Sequence, residues 1–261
     1  MLMVLSPAKN LLEGPAIEGL PTSEPPLLGE TAALLKVARR WSVADLKDRM
    51  SLSDKLATLN RERFQSFAKS PGPNQARQAA RMFNGDVYLG LDAATLASDD
   101  LVFGQDHLAI LSGLYGVLRP LDVIQPYRLE MGTKVPTRRG GDLYAFWGDR
   151  IAKVLAERLA AHDDPTVVNL ASKEYFSAVT VSALPGAVVT PVFRDIKAGK
   201  SRVISFFAKR ARGEMARFAL QRRITRPEDL QAFDGGGYAF QADMSTETQW
   251  VFTRPQPPPV G

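Results

Sequence analysis

The 261-residue sequence contains no cysteine and only two histidines. Without thiols there is no disulfide, no thiol peroxidase chemistry, no iron-sulfur cluster and no thiolate zinc site. His107 and His162 stand far apart, and neither completes a Glu-x-x-His or His-x-x-x-His spacing. No metal site and no cofactor is therefore expected. Long apolar runs are missing too: no stretch approaches the ~20 residues of a membrane span. The short run in MLMVLSPAK lacks the preceding positive charge of a signal peptide. These absences predict a soluble, cytoplasmic protein with no membrane partner.

Acidic residues are scarce in one region only. Between Arg194 and Arg226 there are 11 Lys/Arg against 2 Asp/Glu, a net of +9, while the remainder carries 22 basic and 26 acidic residues, a net of −4. Charge of one sign gathered in one segment points to an anionic partner more than diffuse charge does. Eight of the 11 are arginine, the side chain suited to bidentate contact with phosphate or carboxylate.

The apolar content of 45% is enough for a sizeable core. Met1 to Leu5 reads as a strand buried on both faces and central in a sheet. The proline-rich stretch from Glu13 to Glu30 reads as a surface loop. A helix follows with Leu34, Leu35, Ala38 and Trp41 on one stripe. Further helices are predicted to start at Ser42, with Asp45 three residues on, and at Ser51, with Asp54 three residues on. A fourth, Gln75 to Phe83, follows the SPGPN break.

VYLGL and Thr166 to Ala171 read as strands, and Leu143 to Ala161 contains an amphipathic helix. AVVTPVF and RVISFF read as a hairpin turning near Ala198 and Gly199, with Pro191 at an edge or bulge. Two short strands, Tyr238 to Phe240 and Gln249 to Phe252, precede a frayed proline-rich tail. The reading is α+β: one compact domain over residues 1–252, a mixed sheet with surrounding helices, then the tail 253–261.

On a helix at 100° per residue, Lys209, Arg210, Arg212, Arg217 and Arg223 share one arc opposite Ala211, Met215 and Phe218. That predicts a basic outer face lining a site for nucleic-acid phosphates, where the like charges otherwise repel. LAILSGLYGVLRPLD resembles the turn of a helix-hairpin-helix element, in which Gly113 and Gly116 would let backbone N–H groups approach a phosphate. Arg119 beside it is a natural phosphate contact, and Arg128 in QPYRLEMG joins the candidates. AGKS is no phosphate loop, because Arg194 occupies the place of the required glycine.

Polar residues at element ends leave an enzyme open. Asp86 and Tyr88, Tyr127 to Glu130, Trp147 and Asp149, and Asn169 to Tyr175 place carboxylates near arginine and tyrosine. On this alternative, Glu130 or Glu174 is the acid/base for a nucleobase, nucleotide or phosphorylated small molecule, with arginines holding the phosphate. No nucleophile elbow or triad order selects it.

SPAK, SDKLA, GDVYLGL, LSGLYGVLRPLD, QPYRLEMG, LYAFWGD, VNLASKEYF, PVFRD and ISFFAKRARGEMARF occur in this order along nearly the whole chain. Together they resemble the YaaA family of bacterial peroxide-stress proteins. The resemblance implies a single-domain α+β fold, a positively charged cleft, a helix-hairpin-helix element and binding of duplex or branched DNA without marked sequence preference. It also implies a part in surviving hydrogen peroxide and limiting iron damage. On it, Gly113 and Gly116 fall at the hairpin turn, and Lys209, Arg210, Arg212 and Arg217 line the cleft. A peroxide role without cysteine is protective and not thiol catalysis.

Overall fold

The computed structural model describes residues 1–72 and 74–258; Pro73 of the SPGPN break and the last three tail residues lie outside them. The opening strand, Leu2–Leu5, is buried at every position. Strands that cannot face water on either side belong inside a sheet, and this one pairs in parallel with Leu108–Ser112 on one side and Val167–Asn169 on the other. From edge to edge the central sheet runs Ala239–Gln241, Gln249–Pro255, Val188–Lys197, Val167–Asn169, Leu2–Leu5, Leu108–Ser112, Gly116–Leu118. Lys200–Arg202 pairs with the far end of Val188–Lys197. The inner strands are parallel and both edge strands are antiparallel, so the sheet is mixed.

Several local readings follow their expected physics. Ser42 and Asp45 form a reciprocal capping box on the helix Val43–Met50. The hairpin after Val188–Lys197 turns through Ala198 and Gly199, both at positive φ. Pro191 sits beyond the pairing with Val167–Asn169 and before the pairing with Lys200–Arg202. Its missing N–H therefore costs no ladder bond on that side. The last strand reaches Pro255, and Gln256 N–H still donates to the Ile196 carbonyl at 2.8 Å.

Others are overturned by packing. The cap of the third helix, Asp54–Ser66, is Ser53, because Ser51 takes a left-handed conformation ending the previous helix. The fourth shrinks to Ala79–Met82 between two-residue strands. The predicted helix of residues 143–161 breaks at Gly148 into Leu143–Trp147 and Arg150–Leu159. VYLGL lies in the helix Asp86–Leu91.

LAILSGLYGVL is not a helical hairpin. Leu108–Ser112 and Gly116–Leu118 are antiparallel strands, and every residue in them is buried. A continuous apolar run suits a buried strand or a buried helix equally, and only its neighbours decide.

The helix Ser205–Gln221 buries one face, with Ala208, Ala211, Gly213, Met215, Ala216, Ala219 and Leu220 inside, while Phe206, Lys209 and Arg210 stay exposed. It lies against Asp86–Leu91 at backbone distance. A Cβ on Gly90 would stand 2.1 Å from the Arg210 carbonyl oxygen, and one on Gly213 would stand 1.8 Å from that of Val87. Gly213 is thus the condition of the crossing, and the propensity it costs a helix is secondary.

Candidate functional site

Parallel strands end on a common edge of their sheet. After Leu2–Leu5 the chain passes to one side, to Leu108–Ser112; after Val167–Asn169 it passes to the other, to Val188–Lys197. Adjacent strands whose connections diverge leave a crevice beyond their carboxyl ends, the usual binding place of open α/β sheets. Here three segments line it: Ser6 to Asn10, Asn84 to Tyr88, and the start of the short helix Lys173–Phe176 with its cap Ser172. They are tied together: Ser172 N–H donates to Ser6 Oγ at 2.8 Å, and the Ser6 hydroxyl donates to Ser172 Oγ at 3.3 Å. The buried Tyr88 phenol donates to the Ser6 carbonyl at 2.9 Å, and burial holds that phenol far above its ordinary pKa.

The crevice is a cavity of about 440 Å³. Lys9 Nζ lies 3.0 Å from Glu130 Oε2, and Arg128 donates to Glu130 Oε1 from Nη2 at 2.9 Å and Nε at 3.1 Å. Glu174 Oε1 accepts the Gly132 N–H at 3.0 Å. Lys209 and Arg212 reach the same cavity from the basic helix. Among the described residues, neither has a carboxylate within ion-pair distance. The Arg212 Nε is buried and has no hydrogen-bond partner, and burial lowers the guanidinium pKa.

The same edge continues along Val188–Lys197. Its burial alternates until the last two residues, where Ile196 and Lys197 turn outward. Lys197, Lys200 and Arg202 are exposed at the hairpin, and Lys173 is exposed beside the cavity. The acid of this strand, Asp195, points inward and is fully buried, with Arg254 Nε at 2.7 Å and the Tyr238 hydroxyl at 3.2 Å. It cannot neutralise the hairpin.

A family model described as "Peroxide stress protein YaaA" matches residues 1–244. The chain belongs to the YaaA family. A UPF0246 protein of Caulobacter vibrioides is similar to it at 53% identity over 257 residues, covering 98% of this chain and all of that one. UPF0246 proteins of Maricaulis maris and Azoarcus sp. are each 52% identical, over 262 and 261 residues, with coverage of 98% or more on both sides.

In this YaaA-family chain, only part of the expected basic face is free. Lys209 and Arg212 meet at the cavity, but Arg210 Nε is 3.0 Å from Glu214 Oε1. Arg217 donates to the Leu91 and Asp92 carbonyls at 3.1 and 2.8 Å, and Arg223 binds Asp100 at 2.6 Å while covering the Phe103 ring. Arg210 is thus paired within its own helix, and Arg217 and Arg223 fold back onto neighbouring segments.

The Gly113 to Gly116 turn is buried as well. Trp147 Nε1 donates to the Gly113 carbonyl at 3.1 Å, and a Cβ on Gly113 would stand 2.2 Å from the Leu129 carbonyl oxygen. These glycines serve close packing and present no N–H to a phosphate. Arg119 is held by Asp122, with Nε 3.1 Å from Oδ1, and Arg128 by Glu130.

Sequence reasoning passed over Lys9; it counted Lys197, Lys200 and Arg202 in the basic window and Lys173 among the polar residues at element ends, and singled out none of the four as a phosphate contact. The signal of all five was present: three flank a predicted turn and two follow runs of β-branched and aliphatic residues. What was lacking was the knowledge that those runs are parallel neighbours.

Proposed function

We propose that this protein binds the DNA phosphate backbone, without reading sequence, along the carboxyl edge of its sheet, in the peroxide-stress setting of its family. The observation that carries this reading is that parallel topology brings Lys173, Lys197, Lys200, Arg202 and Lys209 to one edge. Among the described residues, none of the five has a carboxylate partner. Phosphate contacts position a protein on nucleic acid without specifying sequence. Phe206, 55% exposed in the first turn of the helix, adds an aromatic face for sugar or base at the same end. The Gly113 to Gly116 turn stays out of the contact, and of the helix arc only Lys209 joins the hairpin.

Engagement of about five phosphates predicts that log K falls against log salt with a slope of about −4 to −5 on duplex DNA. Anisotropy titrations of duplex, single-stranded and junction DNA at several salt concentrations measure it. The variant combining Lys197→Glu, Lys200→Glu and Arg202→Glu should weaken every sequence alike and flatten the slope by about 3. A salt-independent affinity, or a triple variant that binds as the parent does, would end this reading.

A further inference from the structure

The cavity at the strand crossover has more chemistry than backbone binding requires. A double helix cannot enter 440 Å³, yet the volume falls within the ~300–1,000 Å³ typical of small-ligand sites. Its interior is not uniformly basic. Lys9 and Arg128 are both spent on Glu130, whereas Lys209 and Arg212 are unpaired. A guanidinium with a buried and unpartnered Nε is costly to keep unless something anionic completes it. Two free cations match the charge of a phosphate monoester, about −1.5 to −2 at neutral pH, and arginine suits its planar pair of oxygens.

The same cavity is lined by Asp86, Glu130 and Glu174. Glu130 is met by Lys9 and Arg128, but a site for a bare anion gains nothing from Asp86 and Glu174. A ligand that is anionic at one end and rich in hydroxyl or amino donors at the other satisfies both halves, as carboxylates do when they accept ribose hydroxyls. We infer that this cavity binds the phosphate monoester of a nucleoside, with Arg212 and Lys209 on the phosphate and the cavity carboxylates accepting its sugar or base donors. That phosphate could be carried by a free mononucleotide or by the 5′ end of a DNA strand. The inference shares an edge with the DNA reading but does not rest on it.

Titration calorimetry on the full chain tests it, with adenosine 5′-monophosphate, adenosine, and one DNA strand bearing either a 5′ phosphate or a 5′ hydroxyl. The expected result is one site for adenosine 5′-monophosphate and at least tenfold weaker binding of adenosine. Arg212→Gln should lose tenfold or more, and Lys209→Gln, at an exposed position that folding tolerates, several-fold. The hairpin triple variant should keep its nucleotide affinity within twofold while losing DNA, which separates failure of this inference from failure of the backbone reading. A preference for the 5′-phosphorylated strand that Arg212→Gln abolishes assigns the phosphate to a DNA end; equal binding of both strands assigns it to a free nucleotide. Absence of adenosine 5′-monophosphate binding at millimolar concentration overturns the inference, as does nucleotide binding indifferent to both Arg212→Gln and Lys209→Gln.

Discussion

His162 and His107, 55 positions apart in the sequence, stack with ring centroids 4.6 Å apart, and Phe103 extends the stack at 4.1 Å from His107. They line a second cavity with Asp106, Arg158 and the Met1 backbone, at the amino edge of the sheet. Burial comes first, and then the Met1 amine and His107, in holding His162 down to about 4. An unfolded chain takes up that proton near pH 6.5. Between those values the unfolded state binds more protons, so stability falls as pH drops from about 6.5 toward 4. Urea midpoints at pH 7.5 and 4.5 should show a larger acid-side loss in the parent than in His162→Gln. An identical loss in both would assign the acid sensitivity elsewhere. Asp195 is sealed in by Arg254, whose guanidinium also stacks on Phe207 and Tyr238 at 4.6 and 4.3 Å. One buried pair thereby docks the start of the basic helix onto the last strand.

Among elements, the crossing of Ser205–Gln221 over Asp86–Leu91 governs the departures from expectation in VYLGL and in the basic helix. In isolation, Gly213→Ala should favour the helix by about 1 kcal/mol. In the fold it drives a methyl into the Val87 carbonyl, and overpacking of this kind costs about 1–3 kcal/mol or more. The substitution should lower the urea midpoint; a rise would show that the helices can separate. The crossing also explains why the arc of arginines was legible while their exposure was not. Helical spacing fixes which side chains share a face, but whether that face meets water depends on a second helix far away in the chain. The strand Val188–Lys197 and its turn were legible for the opposite reason, since turn chemistry and alternation are local, but the return strand is Lys200–Arg202 and Ser205 to Phe207 of RVISFF open the helix.

Across the molecule, charge and topology cooperate. The carboxyl edge holds Lys173, Lys197, Lys200, Arg202, Lys209 and Arg212, none with a carboxylate partner among the described residues, and the amino edge holds the histidine pair with Asp163 and Asp164. Hydrogen exchange with bound duplex DNA should therefore protect the loops Ser6 to Asn10, Lys173 to Tyr175 and Lys197 to Arg202, and leave Thr225, Arg226 and His162 unchanged. Protection confined to the amino edge would place the partner on the wrong side of the sheet for the proposed contact.

By itself the sequence determined the α+β class, the central position of its first strand, the absence of thiol chemistry, the basic bias of one segment and the family. Each of these is set by composition, by neighbours a few residues away, or by motif order. Tertiary structure alone decided which cations stay free, that LSGLYG is a buried strand turn, and that SPAK, SKEY and the hairpin share one edge. Pairing of strands more than 100 residues apart creates that edge, and packing of the basic helix on Asp86–Leu91 turns Arg217 toward the Leu91 and Asp92 carbonyls. A residue can contact only what folding brings to it.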